Sequence, residues 1–103
     1  MFWDRYQTLL TNRGAKRILS KPYGLELLFV LETCAAKNAD NGIEDTYELL
    51  GHFAPRRAAF SNFIKTLEFE GHIVKTVSPI KASKNKLRLA EDVGKAFKAF
   101  KAS

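Results

Sequence analysis

Cysteine, proline, long apolar runs and, in its second half, acidic charge are what this chain has least of. One cysteine in 103 residues rules out an intrachain disulfide, and Cys34, set among apolar neighbours, reads as a buried thiol. A reducing, cytoplasmic setting is the expectation. The three prolines fall at or beside expected breaks: Pro22 near a helix start, Pro55 at another, and Pro79 in a turn-rich connection. No apolar run approaches the roughly 20 residues that span a bilayer, so no membrane partner is expected. The opening "MFWDRYQTLL" carries Asp4 early and has no basic region followed by an apolar block, so no secretory signal is expected either.

Catalytic vocabulary is equally sparse. No glycine-rich phosphate loop follows a strand. His52 and His72 have no cysteine or carboxylate at metal-ligand spacing. Glu44, Asp45 and Glu48 imitate an acid pair, but acids near a helix N-terminus answer the helix dipole with fewer assumptions. The expectation is no enzyme, no metal and no cofactor. With no linker, internal repeat or low-complexity block, residues 1–103 read as a single domain.

What the chain does have is positive charge in one place. The formal net charge is +6. Residues 1–51 hold six Lys/Arg against seven Asp/Glu, whereas residues 52–103 hold eleven against four. Such asymmetry marks a face that meets a polyanion, although it says nothing of fold.

Periodicity predicts a helix over 2–12, continuing loosely through Ile18 and Leu19. Ser20 can cap a second helix, "YGLELLFVLETCAAK", apolar almost all round and therefore central, ending by Asn38 in the turn chemistry of "NADNG". A shorter helix is expected over Ile43–Phe53, with Tyr47, Leu50 and Phe53 inward. From Arg56 to Glu70 the apolar positions Phe60, Phe63, Ile64 and Leu67 fall at i, i+3, i+4 and i+7, and Gly71 caps the end. The period then switches. "HIVKTVS" and "KLRLA" alternate, with Leu87 and Leu89 on one side of a hairpin and Lys86 and Arg88 on the other. Glu91–Ala102 closes the chain as a helix with Val93, Phe97 and Phe100 inward. The fold class expected is mainly α with a small β-hairpin. Two short helices meeting at a tight turn and followed by a hairpin make a winged helix-turn-helix.

The stretch from Ile43 to Leu89 resembles the winged-helix domains of transcription regulators, and the MarR-like group most closely. The residues that carry the likeness are Leu49 and Leu50 in the first short helix and "LEFEGHIV" over Leu67–Val74. "KLRLAEDVGKAF" completes it, with Leu89, Ala90 and Gly94 where that group often has a leucine-threonine pair and a glycine. The resemblance implies an N-terminal helical extension over 1–20, a helix-turn-helix over 43–71, a wing over 72–90 and a C-terminal helix over 91–103. It implies sequence-specific binding of double-stranded DNA by a small transcriptional regulator. Helix 55–70 would read the major groove, and the 75–88 wing would touch the backbone or minor groove.

The residues themselves suit that role. Arg56, Arg57, Ser61, Asn62 and Lys65 face outward on helix 55–70, with Ala58 and Ala59 at its margin. Arginine can grip guanine O6 and N7, and asparagine adenine N6 and N7. The free N–H groups after Pro55 offer a phosphate seat. The wing adds Lys75, Lys81, Ser83, Lys84, Lys86 and Arg88 without an acid between His72 and Leu89; these position rather than specify. About six phosphate contacts would give a logarithmic salt slope near −5. A homodimer reading two half-sites is expected, with Phe2, Trp3, Tyr6, Phe97 and Phe100 as its candidate surface. The same aromatics can instead close the core, and Arg13, Lys16 and Arg17 can flank the DNA or be a solvated turn. The outward cations can equally be an ordinary solvated face. The alternatives in function are a protein-protein interaction module on the same scaffold, or a plasmid or phage replication or partition factor. No linear motif reports a small-molecule effector.

Overall fold

The computed structural model describes residues 2–77 and 85–102. Among these, the chain forms α1 (Phe2–Leu9), α2 (Arg13–Leu19), α3 (Gly24–Ala36), α4 (Ile43–Glu48), α5 (Arg57–Phe69), β1 (Ile73–Val77), β2 (Asn85–Leu89) and α6 (Glu91–Lys101). The architecture is mainly helical with one small antiparallel two-stranded sheet, in register Ile73↔Leu89 through Val77↔Asn85. No helix among the described residues is long and apolar enough to cross a membrane.

The core follows the expected stripes. Phe60, Phe63, Ile64 and Leu67 of α5 are all buried, as are Val93, Phe97 and Phe100 of α6 and Leu87 of β2. Each such side chain taken out of water contributes roughly 1.5–3 kcal/mol. They close on Leu27, Leu28 and Leu31 of α3, which packs against α2 and β2. The expectation that α3 is buried on most sides needs correcting on one face, where Leu25 and Phe29 are 38% and 43% exposed.

α5 ends as its glycine requires. Gly71 has φ 83°, the left-handed conformation that only glycine adopts cheaply. Its N–H reaches Glu68 O, and the N–H of His72 reaches Leu67 O at 2.9 Å. This paired closure satisfies two carbonyls of the last turn and aims the chain directly into β1.

Three expected boundaries differ. The N-terminal segment is two helices, because the Asn12 side-chain oxygen accepts the Ala15 N–H at 2.9 Å and starts α2 afresh. Ser20 closes α2 instead of opening α3, since its hydroxyl donates back to Arg17 O at 2.6 Å. And α4 stops at Glu48, five residues short of the expected Phe53. There the carboxylate of Glu26, reaching over from α3, accepts the N–H groups of Gly51 and Phe53 at 3.1 and 3.3 Å. That holds residues 49–56 as a turn between α4 and α5, and Phe53 is left 62% exposed rather than inward.

Candidate nucleic-acid interface

α4 meets α5 through its aromatic residue. Tyr47 lies against Phe60, with ring centroids 5.4 Å apart, and its hydroxyl donates to Pro55 O at 2.5 Å. The bond fixes Pro55, the residue before the N-cap of α5, so the first turn of that helix has a set direction. Arg56 is the N-cap, in extended conformation and without a side-chain cap bond, and no acid stands in the first turn. The turn therefore keeps its first N–H groups without a side-chain cap, and no acid of its own answers the positive end of its dipole.

The outward face of α5 carries Ala58, Asn62, Lys65, Thr66 and Phe69, all exposed, with Ser61 half-buried at its edge. Arg56 and Lys65 have no ion-pair partner among the described residues. Arg57 is placed otherwise. Its guanidinium is paired with Glu44 and sits 4.9 Å from the Tyr47 ring centroid, so it ties α5 to α4. It stays about half-exposed and keeps guanidinium N–H donors beyond the Nη1 contact with Glu44. Thr66 and Phe69 were not among the expected contacts. Their spacing of four and seven from Asn62 was the available signal. Phe69 is 93% exposed.

The hairpin flanks α5 on the side where Glu68 meets Lys75 of β1, 4.0 Å apart. Its remaining described cations are engaged by the chain itself. Lys86 donates to Asn38 Oδ1 at 2.9 Å and lies 3.8 Å from Asp40. Arg88 donates to Asn41 Oδ1 at 2.5 Å and to Ala39 O at 2.7 Å. Both therefore clamp β2 onto the loop between α3 and α4. The guanidinium and ammonium expected to contact DNA are thus each engaged by internal acceptors as well. Lys81, Ser83 and Lys84 lie outside the described residues.

Asn41 is the centre of this clamp. It is 2% exposed, its carbonyl accepts the Leu87 N–H at 2.9 Å, and its amide donates to Thr46 Oγ1 at 3.1 Å. The loop thereby lies beside β2 with a strand-like bond.

The aromatic candidates for a dimer surface divide. Phe97 and Phe100 are buried in the chain's own core, so they are corrected from interface to core. Tyr6 is half-buried against Phe100, while Phe2 and Trp3 remain 60% and 63% exposed. Cys34 is 4% exposed, and burial pushes its thiol up from the ordinary value. Among the described residues no group of three or more His, Cys, Asp or Glu is placed to hold a metal ion. No family model matches the chain, and comparison with curated proteins and with solved structures found no match.

Proposed function

We propose that the chain is a winged helix-turn-helix protein that binds double-stranded DNA, with α5 in the major groove and the β1–β2 hairpin as its wing. The observation that carries the reading is the outward face of α5. From Arg56 to Lys65 it is exposed and free of acid, with Asn62 at its centre. Glu44 borders it from α4, where it is already spent on Arg57. The order α4, tight turn, α5, hairpin and the strand-like bond at Asn41 support the same architecture. Arg56 and Lys65 suit phosphate or guanine, and Asn62 suits adenine. The MarR-like likeness of the motifs makes a small transcriptional regulator the fitting role, with two copies meeting through Phe2 and Trp3 to read two half-sites.

Anisotropy of a labelled duplex at about 50 and 200 mM salt tests this, with Arg56→Glu, Lys65→Glu as the comparison. Salt-sensitive binding that the double variant loses supports the reading. No binding by the wild type, or equal binding by the variant, refutes it. One observation favours a second reading: Phe69, fully exposed at the end of the same face, also suits a protein-docking surface. In that case the duplex titration fails while an acidic protein partner still binds.

A further inference from the structure

α2 lies along the flank of α5 opposite the hairpin. Arg17 and Lys21 place their charges 5.4 and 5.2 Å from the Phe63 ring centroid. Arg17 Nε also meets Glu70 Oε1 at 3.2 Å, at the far end of α5. Between α2 and the turn that joins α5 to β1 runs an open cleft of about 340 Å³, lined by Arg13, Lys16, Arg17, Ser20, Glu70 and His72. Arg13, Lys16 and Arg17 of α2 and Ser20 at its C-cap fall at i, i+3, i+4 and i+7, so they share one face.

The charge in this cleft is not balanced within the chain. Glu70, its one acid, is engaged by Arg17 and lies 3.9 Å from His72 Nε2. Arg13 and Lys16 are exposed and have no ion-pair partner among the described residues. Arg13 is moreover the first residue of α2, whose first turn holds no acid. A cation there opposes the helix dipole, a small local cost with no internal return. Lys75, Lys86 and Arg88 of the hairpin are, by contrast, all partnered within the chain.

We infer that this cleft is a second phosphate site, in which Arg13 and Lys16 hold the backbone of a duplex whose base edges lie on α5. The inference rests on the DNA-binding reading above. A helix seated in the major groove, about 12 Å wide, has a phosphate strand along each side. An element on either flank of α5 therefore meets backbone, and α2 is the flank that carries free cations. Ser20 can add a neutral donor to the same oxygen atoms.

The test extends the duplex titration to Arg13→Glu, Lys16→Glu, with Lys95→Glu, Lys98→Glu on α6 as a variant of equal net charge. Arg13→Gln, Lys16→Gln removes the same charges without adding acid, and thermal melting followed by circular dichroism checks that each variant is folded. Loss of two phosphate contacts lowers the salt slope by about 1.8, so the loss of affinity is about tenfold larger at 50 than at 200 mM salt. The expected result is that both cleft variants show this and the α6 variant does not. The inference is overturned if the cleft variants bind like wild type while Arg56→Glu, Lys65→Glu loses binding, which leaves the α5 reading standing. It is also overturned if the α6 variant loses as much, since the effect is then one of net charge. Absence of duplex binding by the wild type removes both readings together.

Discussion

Arg88 donates to the side-chain oxygen of Asn41 at 2.5 Å, and through that bond the hairpin is fastened to the loop that precedes α4. The guanidinium also reaches Ala39 O at 2.7 Å, so one side chain closes two acceptors of the same loop. Arg88→Ala leaves the buried Asn41 amide oxygen without that donor. It should destabilise the fold by about 1–3 kcal/mol in urea denaturation. Arg88→Lys should recover only part of the loss, because an ammonium lacks the planar fork that spans both acceptors. A duplex affinity that falls while stability is unchanged would show Arg88 to be a contact and not a clamp.

Gly24 stands where no side chain fits. A Cβ there would lie 2.1 Å from the backbone oxygen of Ile18, which cannot swing aside as a side chain can. Gly24→Ala should therefore cost about 1–3 kcal/mol or more. Gly94, inside α6, meets nothing within 4 Å. Gly94→Ala should stabilise by about 0.4–1 kcal/mol through the unfolded chain. A pair of melting curves checks both signs, and a shift in the same direction for the two would contradict this account.

The Cys34 thiol is held above its ordinary value by burial, with Arg88 and Lys37 partly opposing that and Asp45 adding to it. A raised value means that folding favours the protonated thiol. Its contribution to stability is then complete below the ordinary thiol range and lost as pH rises through the folded value. Native protein near neutral pH should resist alkylation, and urea-unfolded protein should take up one label. Rapid labelling of the native protein would place the thiol outside the core.

Asn62 and Lys65 should behave differently if α5 reads DNA. Asn62→Ala should cost about 1–3 kcal/mol on the preferred site alone and relax selection at one position. Lys65→Ala should weaken binding to all sequences alike and reduce the salt slope by about 1. Selection from random duplexes beside salt titration separates the two, and identical profiles would remove the division of labour.

The fold was most legible where local pattern and burial agree. The stripe Phe60, Phe63, Ile64, Leu67 predicted α5, Gly71 its end, and Val93, Phe97, Phe100 the buried face of α6. Periodicity is a property of neighbours along the chain, so one sequence suffices to read it. The candidate site was legible only in part. Outward position on α5 follows from the same wheel, and Asn62 and Lys65 were reached that way.

What a cation does, however, depends on which acceptor lies beside it, and that is settled by distant residues. Arg88 and Arg57 looked like their free neighbours until Asn41 and Glu44 were placed against them. The length of α4 was decided in the same manner, by a Glu26 carboxylate 25 residues upstream of Gly51. By itself, then, the sequence determined the helical and hairpin elements, their buried faces and the sense of the charge. Only the tertiary structure decided where the N-terminal helix breaks, where α4 stops and which positive charges are left free. Hydrophobic period is encoded locally, whereas hydrogen-bond and ion-pair partners are assigned by the packing of elements far apart in the chain.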